Sequence, residues 1–537
     1  MGKRQLADVR VEAREELGLQ TLRPGQEEAV EALLERRDVL AVMPTGYGKS
    51  AIYQLAGLLE EGLTLVVSPL IALQRDQLEA LEELTVPAAE LNSTLGARRR
   101  HEVLAAIRAG ALRFVFLAPE QLANTETMAA LHAAPPALFV VDEAHIISEW
   151  GHDFRPEYLR LGAAVEELGR PRVLALTATA APTIRAEIVD RLRMEDPYVV
   201  VRGFDRPNIW LAVQTFFDDD EKVETLLRRA LAAEKPGIVY AATRRGAEGL
   251  AEALAARGAR AMAYHAGLPK AARDAVQDAF MTDGLEVVVA TIAFGMGIDK
   301  PNVRFVFHLD VSDSVDAYYQ EVGRSGRDGR RAEAVLFYRS EDLGLRRFFG
   351  GTAHLEAGEV VTILAALARP GEGSTREQLA MLTSLPAGKV GAVLDRLEQL
   401  GAVEIALDGT VTRGAATTDA HAVLEAQEER REVERSRLEM IRAYAELRDC
   451  RRRFLVNYFG EGREEPCGFC DNCEAGRIAE NIDEPFPLET RVRHSLWGPG
   501  TVQRYEGDKV VVLFDRHGYK TLDLDLVEEK GLLARLL

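Results

Sequence analysis

The sequence predicts an α/β protein with two consecutive parallel sheets, followed by a winged-helix-like segment, a helical cysteine-rich module and a small β domain. Short apolar runs, each followed by a loop and a helical pattern, recur over about the first 340 residues and are typical of parallel strands joined by helices. From residue 356 onward helical patterns follow one another, and the tail alternates in short strands with glycine turns.

The composition indicates a globular protein of about three to five domains, given its 537 residues. Its 66 lysines and arginines against 85 aspartates and glutamates give a net charge of −19, which argues against coating nucleic acid through bulk charge. No run is apolar and long enough to cross a bilayer, and residues 1–8 lack the apolar core of a signal peptide. We therefore expect a cytoplasmic protein.

The first predicted strand, residues 38–42, leads into a glycine-rich loop and then a helix. Gly46 and Gly48 allow backbone N–H groups to approach a phosphate. Lys49 supplies a cation to the β- and γ-phosphates, and Ser50 is suited to bind Mg²⁺. The full phosphate-binding-loop pattern has glycine at the position of Met43, so this loop matches the pattern only in part. Strand, loop and helix together favour a nucleotide site over a chance glycine turn.

Two adjacent carboxylates, Asp142 and Glu143, follow another apolar run, which begins at Phe139. The carboxyl end of a buried parallel strand is where open α/β sheets bind ligands. Asp142 would hold Mg²⁺, and Glu143 would orient or deprotonate the water that attacks a γ-phosphate. We interpret the pair as the hydrolytic part of the nucleotide site.

An aromatic-rich stretch follows at once. Aromatic faces stack on unpaired bases, and an arginine binds phosphate or stacks. The stretch therefore predicts a nucleic-acid contact beside a hydrolytic centre, carried by Trp150, His152, Phe154, Arg155 and Tyr158.

Hydroxyls and amides at other strand ends of the first sheet could follow a sugar–phosphate backbone. Each residue alone is more typical of an ordinary helix cap, since serine, threonine and asparagine fill that role routinely. The residues are Ser68, Asn92, Thr177 and Thr179.

In the second sheet block, Arg324 and Arg327 stand one helical turn apart. Such a pair can present two guanidinium groups to a phosphate, as an arginine finger does. A solvated basic turn is the alternative reading of this pair.

All four cysteines of the chain lie within residues 450–473, and two of the spacings are of two residues. In a reducing compartment this pattern favours a closed structural Zn²⁺ site over disulfides or free thiols. The predicted ligands are Cys450, Cys467, Cys470 and Cys473.

Residues 360–367 and 386–400 read as helices, a capping box over residues 374–377 opens a further helix between them, and a hairpin turns at Asp408 and Gly409. This is a winged-helix order, and its few basic residues leave a DNA contact and a purely architectural role equally open. Residues 430–453 read as a long arginine-rich helical stretch, part of a helical hairpin and zinc-binding module over residues 421–480.

Four motifs, in their order along the chain, resemble those of a superfamily 2 helicase. They are the phosphate loop, the Asp142-Glu143-Ala144-His145 box, residues 177–179 and residues 320–327. Four further features narrow the resemblance to the RecQ family of DNA helicases: the aromatic stretch described above, the segments 68–73 and 293–301, and the cysteine cluster. The tail resembles the Tudor-like domain that ends UvrD/PcrA helicases, which implies a protein-docking module for RNA polymerase or a repair factor. A stabilising cap is the alternative for the tail.

The RecQ resemblance implies an ATP- and Mg²⁺-dependent motor with two RecA-like lobes and a zinc module. It implies that Gln26 reads adenine, that Arg23 belongs to the same nucleotide-binding motif, and that Arg324 and Arg327 reach across a cleft. It adds Thr45, Gly297 and Asp299 to the nucleotide contacts. Tyr47 replaces a usual glycine of the phosphate loop, and in the usual family order the winged helix follows the zinc module instead of preceding it.

We therefore predict a 3′-to-5′ DNA helicase acting on single-stranded and on tailed or forked duplex DNA, in repair or recombination. We expect a monomer without membrane contact, located in the cytoplasm at the nucleoid. An RNA helicase is one rival, and a DNA-stimulated ATPase that translocates or anneals without processive unwinding is the other. The predicted domains are residues 1–202, 203–350, 351–420, 421–480 and 485–537.

Overall fold

The computed structural model describes residue 17 and residues 21–536, with gaps at 70, 93, 149–155, 295–299, 345–355, 368–372, 407–408, 415, 417, 479–484, 489 and 507. The chain forms two compact units. The first comprises Met1–Met43, Gly48–Arg202 and Gly351–Glu432, and the second comprises Pro44–Tyr47, Gly203–Gly350 and Val433–Leu537.

The first unit contains a seven-stranded parallel sheet in the order β3-β4-β2-β5-β6-β1-β7. Its central strands are buried along their whole length, as expected of a sheet covered on both faces. The strands are β1 Val39–Val42, β2 Leu63–Val67, β3 Ala88–Leu91, β4 Phe114–Leu117, β5 Pro136–Val141, β6 Arg172–Thr177 and β7 Tyr198–Val201. The helices are α1 Gln26–Leu34, α2 Ser50–Leu59, α3 Ile71–Glu83, α4 Ala97–Arg108, α5 Thr125–Ala133, α6 Leu161–Glu167 and α7 Pro182–Arg191, with short 3₁₀ helices at Pro119–Ala123, Ala144–Ile147 and Pro156–Arg160.

The second unit contains a six-stranded parallel sheet in the order β10-β11-β9-β12-β13-β8. Both faces are buried, because Val287 and Val289 belong to one hydrophobic core while Val288 and Ala290 belong to another. The strands are β8 Ile209–Thr215, β9 Gly237–Tyr240, β10 Ala261–Tyr264, β11 Val287–Ala290, β12 Phe305–His308 and β13 Ala332–Tyr338. The helices are α8 Asp219–Ala232, α9 Arg244–Ala256, α10 Lys270–Met281 and α11 Val315–Val322.

The predicted winged-helix order is confirmed as three helices and a two-stranded antiparallel hairpin. The predicted capping box is displaced by one residue: Thr375 caps the second helix together with Gln378, because Ser374 is paired with Val411 as an isolated β-bridge. The elements are α12 Ala357–Leu367, α13 Arg376–Thr383, α14 Ala387–Gln399, β14 Val403–Ile405 and β15 Val411–Arg413.

The arginine-rich stretch predicted to be helical over residues 430–453 forms the end of one helix and the start of another, separated by a break. Helix α15 spans Ala420–Glu446, and α16 spans Arg451–Tyr458. The Asn472 amide donates to the carbonyl oxygens of Leu447 and Asp449 at 2.8 and 2.7 Å. These carbonyls are bound from a distant part of the chain, so the helix ends and Cys450 becomes the cap of the next one.

The tail forms a five-stranded antiparallel sheet in the order β19-β18-β17-β16-β20, as the alternating pattern predicted. Its small core is built from the inward residues of the strands, among them Val492, Val502, Val512 and Phe514. The elements are α17 Asp471–Glu474, which precedes the sheet, then β16 Arg491–His494, β17 Gly498–Glu506, β18 Lys509–Phe514, β19 Gly518–Asp523, α18 Leu524–Lys530 and β20 Leu533–Arg535. We call residues 485–536 the C-terminal β domain. Over the described ranges no helix meets the length and apolarity needed to cross a membrane.

Candidate functional sites

The loop between β1 and α2 has the backbone of a phosphate-binding loop. Gly46 and Gly48 adopt φ angles of +78° and +85°, which side chains with a Cβ rarely tolerate. Lys49 precedes the first turn of α2, and its Nζ donates to the Met43 carbonyl at 3.0 Å. Ser50 is the first residue of that helix, where free N–H groups favour an anion. Thr45 lies in the same loop.

Gln26 is tied to this loop from the start of α1. Its Nε2 donates to the Gly48 carbonyl at 2.8 Å, and its Oε1 accepts from the Arg23 N–H at 2.7 Å. Gln26 is almost fully buried. The predicted adenine-reading residue thus also fixes the second glycine of the loop, which its place in the sequence did not indicate.

Asp142 and Glu143 lie just past the carboxyl end of β5. The Asp142 N–H donates to the Val67 carbonyl at 2.9 Å, and the Glu143 N–H donates to Asp142 Oδ1 at 3.0 Å. Burial, together with the charge of Glu143, raises the pKa of Asp142 to about 7, while Lys49 opposes this shift. A carboxylate that is destabilised in this way gains most when a cation joins it. Asp142, Lys49 and Ser50 therefore fit bound Mg²⁺ and nucleotide phosphate.

Glu143 is held in an unusual backbone conformation with φ +50°. Such a strained residue is often found at a functional site. Its Oε2 is buried without a hydrogen-bond donor among the described residues and lies 3.4 Å from His145 Nδ1. The same His145 nitrogen lies 2.9 Å from Thr177 Oγ1, and the Thr177 hydroxyl in turn donates to the Thr179 carbonyl at 3.1 Å. The base candidate is thus linked to the end of β6.

The four polar strand-end residues predicted to contact DNA are at most 2% exposed. Asn92 is engaged inside the protein, since its Oδ1 accepts from the Thr94 N–H and hydroxyl at 3.0 and 2.7 Å. Ser68 accepts from the Gln74 amide through its backbone carbonyl. These residues organise strand ends in this structure, and DNA contact by them stays a prediction.

Trp150, His152, Phe154, Arg155, Gly297 and Asp299 lie outside the described residues. The residues that flank the aromatic stretch are described. Tyr158 is fully buried, and its hydroxyl donates to the Asp142 carbonyl at 3.4 Å, a long hydrogen bond. Ser148 donates through its hydroxyl to Glu187 on α7.

In the second unit, Arg324 and Arg327 follow α11 in a loop that is held by contacts with Arg206 and Asn208. Gly326 has φ +56°, and a Cβ there would lie 2.5 Å from the Asn208 amide nitrogen. Arg206 donates to the carbonyls of Gly323, Ser325 and Gly326 at 3.2, 2.9 and 3.1 Å.

The supporting residues of this loop were not predicted. Arg206 and Asn208 lie more than a hundred residues earlier in the chain. Arg304 forms a bidentate ion pair with Asp328, both contacts at 2.7 Å. In the sequence around Arg206, the polar residue directly after Pro207 is a weak indication of such a contact. Polar residues are too common at such positions to predict which loop they bind.

The four cysteines converge on one point. Their sulfur atoms all lie within 4.8 Å of one another, and the Cys467 and Cys473 sulfurs are 3.8 Å apart. A tetrahedral Zn²⁺ with Zn–S bonds of about 2.3 Å places its sulfurs about 3.8 Å apart. Backbone N–H groups of Arg453 and Cys467 donate to the Cys450 sulfur at 3.4 and 3.2 Å, which suits a thiolate. The cluster fits Zn²⁺, as the spacing predicted.

The cysteine module is attached to the edge of the second sheet. Asp471 accepts from the Val213 N–H at 3.0 Å and from the Arg451 guanidinium at 2.5 and 3.0 Å. Glu474 accepts from the Trp210 indole N–H at 2.9 Å. Both acceptors are on α17, directly after Cys470, so metal binding and attachment to β8 share one short segment.

Three family models match the chain. The DEAD/DEAH box helicase model matches residues 23–186, and the helicase conserved C-terminal domain model matches residues 221–329. The RecQ zinc-binding model matches residues 410–474. The zinc model thus contains the cysteine cluster and the end of the winged-helix-like segment.

The curated relatives are helicases by name. An ATP-dependent DNA helicase RecQ of Pasteurella multocida is 37% identical over 458 residues, which is 85% of this chain and 60% of that protein. The chain spans about three fifths of the RecQ proteins of this bacterium and of Haemophilus influenzae. A probable ATP-dependent DNA helicase RecS of Bacillus subtilis is 33% identical over 463 residues, which is 85% of this chain and 90% of that protein.

Solved structures with the same fold include the DUF1998 helicase MrfA bound to DNA, with a TM-score of 0.51 and 15% identity over 78% of this chain and 60% of that one. S. cerevisiae Dbp5 bound to RNA and ADP BeF3 gives a TM-score of 0.50 and 18% identity over 65% of this chain and 92% of that one. These likenesses confirm two RecA-like lobes. With the match to RecS over nine tenths of its length and the zinc module in place, the chain belongs to the RecQ family of helicases.

Proposed function

We propose that this protein is an ATP-dependent DNA helicase that moves 3′ to 5′ along single-stranded DNA and separates duplexes ahead of it. The observation that carries the proposal is the partly buried Asp142–Glu143 pair at the end of β5, with the charge of Lys49 acting on Asp142. The raised pKa of Asp142 suits a cation ligand, and the buried Glu143 Oε2, which has no hydrogen-bond donor within the described part of the chain, suits a general base.

In this proposal Lys49 and the N-terminus of α2 bind the β- and γ-phosphates of ATP. Ser50 and Asp142 hold the magnesium ion, which when bound neutralises charge on the phosphate oxygens. Glu143 orients the attacking water and accepts its proton, while Arg324 and Arg327 stabilise charge on the γ-phosphate. Gln26, Arg23 and Thr45 complete the nucleotide contacts, together with Gly297 and Asp299.

The aromatic stretch supplies the coupling to DNA in this proposal. Trp150, Phe154 and Arg155 follow the catalytic pair within a dozen residues, and Tyr158 at the far end donates to the Asp142 carbonyl. A strand stacked on these rings therefore acts on a segment whose end is attached to the Mg²⁺ ligand itself. This attachment gives DNA binding a short route to the rate of hydrolysis.

We further propose a monomer that works in DNA repair or recombination at the nucleoid, with a protein partner at the C-terminal β domain. The winged-helix-like segment precedes the zinc module in this chain, and the C-terminal β domain follows the zinc module, where the usual family order has the wing. This order supports the second candidate, a DNA-stimulated ATPase that translocates or anneals without processive unwinding.

The test measures ATP hydrolysis and strand displacement together, on 3′-tailed, 5′-tailed and RNA-tailed duplexes, with Lys49→Ala as the inactive control. We expect DNA-stimulated hydrolysis and displacement from the 3′ DNA tail alone. Hydrolysis without displacement on any tail would select the translocase or annealing function. Equal activity on RNA tails would select the RNA helicase, and hydrolysis that persists in Lys49→Ala would remove the assigned nucleotide site.

A further inference from the structure

Helix α11, which leads to Arg324, is packed on two opposite sides. On the sheet side, Glu321 accepts from the Ser312 hydroxyl at 2.7 Å and lies 2.8 Å from His308 Nε2. The His308 ring stacks on Tyr240 with centroids 5.3 Å apart. Such contacts between motor residues fix the helix to its own lobe.

The other side of α11 faces the zinc module and α15. Asp316 is 1% exposed, and its Oδ2 accepts from the Tyr458 hydroxyl at 2.6 Å and from Arg437 at 3.3 Å. The Tyr319 ring lies 4.8 Å from that of Phe459, centroid to centroid. A buried carboxylate depends on such donors, because removing one leaves charge without compensation.

The C-terminal β domain closes this cluster. The Tyr519 ring stacks on Tyr458 at 5.8 Å with an angle of 28° between the ring planes. The Arg504 guanidinium lies 3.8 Å from the centre of the Phe454 ring and is 3% exposed. Gly518 lies so close to α15 that a Cβ would stand 2.1 Å from Ser436 Oγ. The domain is therefore packed on the zinc module and α15, next to the partner of Asp316.

A short helix connects Asp316 to Arg324. Helix α11 has eight residues, about 12 Å of rigid rod. Its C-terminal end continues directly into the arginine loop, where the Gly323 N–H donates to the Tyr319 carbonyl at 2.8 Å and the Arg324 N–H to the Glu321 carbonyl at 3.2 Å. The contacts at the N-terminal end are therefore joined, through one short helix, to the backbone that carries the Arg324 guanidinium.

We propose that Asp316 is a positioning residue for Arg324, held by Tyr458 and Arg437, and that the C-terminal β domain supports this hold through Tyr519. The C-terminal β domain then serves ATP hydrolysis as well as any partner it binds. The inference rests on the proposed role of Arg324 in hydrolysis.

The test uses the zinc-loaded protein of residues 1–537 with Tyr458→Phe, which removes one hydroxyl and keeps the ring. We expect kcat for DNA-stimulated ATP hydrolysis to fall about tenfold, with the KM for ATP and the affinity for single-stranded DNA unchanged. Tyr519→Leu, which removes the stacked ring from the C-terminal side, is expected to lower kcat about threefold. Tyr505→Phe is the matched control, because its hydroxyl bonds the backbone of Phe486 inside the C-terminal β domain.

A double-mutant cycle with Arg324→Ala separates positioning from general damage. If Tyr458 acts through Arg324, Tyr458→Phe lowers kcat no further once Arg324 is alanine. Multiplicative loss in the double variant, or unchanged kcat in Tyr458→Phe, would overturn the inference. A single Arg324→Ala variant with full activity would instead refute the proposed role of Arg324, and Tyr505→Phe behaving like Tyr458→Phe would identify a loss of folding.

Discussion

The raised pKa of Asp142 makes a prediction that connects catalysis to stability. A carboxyl whose pKa is 3.8 when unfolded and about 7 when folded binds its proton more tightly in the folded protein. The resulting stability is complete below about pH 4 and is lost as the pH rises to about 7. A pKa shift of about 3 units, from 3.8 to about 7, corresponds to at most about 4 kcal/mol of unfolding free energy. Because Asp142 retains some solvent contact, we expect about half of that, near 2 kcal/mol at pH 8.

Asp142→Asn removes the carboxylate whose ionisation lowers the stability of the folded protein at high pH. The variant should therefore be more stable than the unchanged protein without nucleotide, and it should not hydrolyse ATP. In buffer containing a chelator of Mg²⁺ but not enough to strip zinc, we expect its first unfolding transition about 5 °C above that of the unchanged protein at pH 8. At pH 5 the gain should shrink to less than half, because Asp142 is then largely protonated in the fold. Thermal scans at both pH values give the comparison.

Asp190→Asn serves as the control for this prediction. Asp190 is an exposed aspartate at the end of α7 in the same unit, so its substitution changes the net charge equally without touching the site. Equal shifts for the two variants would point to net charge as the cause. A lower unfolding temperature for Asp142→Asn at pH 8, or a gain that does not depend on pH, would refute the reasoning.

Three further predictions follow from the contacts of the second unit. Cys470→Ser should lower the zinc content well below one ion per chain and release α17 from β8, and metal analysis with denaturation checks both; full zinc content would contradict the site. Gly326→Ala should lower kcat for ATP by about tenfold, because a Cβ would lie 2.5 Å from Asn208 Nδ2, and unchanged kcat at equal stability would show that the loop adapts. Glu461→Ala should cost about 2 kcal/mol of unfolding free energy in urea, since its carboxylate accepts the N–H groups of Gly203 and Phe204 at 3.0 and 2.6 Å; Glu464→Ala, at an exposed neighbour, is the matched control.

Local patterns predicted much of this structure. The strand at residues 287–290 was predicted with its observed bounds, because four consecutive apolar residues between turns leave little choice in a doubly covered sheet. The cysteine cluster was predicted from spacing alone, since thiolates at such intervals have few other uses. In both cases the residues that decide the structure are neighbours in the sequence.

Contacts between distant segments set the limit of that prediction. The break between α15 and α16 depends on the Asn472 amide, and a helical pattern through residue 453 contains no trace of it. Likewise, the Tyr458 hydroxyl and the Asp316 carboxylate are 142 residues apart in the chain. Tyrosine in a helix and aspartate in the first turn of another are both ordinary on their own. Their pairing arises from the packing of whole modules.

The cysteine cluster also determines how this protein can be observed in motion. The chain has four cysteines, and all four converge on one metal position. With zinc bound, every native thiolate is occupied, so a single cysteine introduced on an exposed surface would be the sole site for a maleimide dye. Two such cysteines introduced together can thus carry a donor–acceptor dye pair without first removing native residues, and distance changes during ATP turnover become measurable on a chain that keeps its own metal.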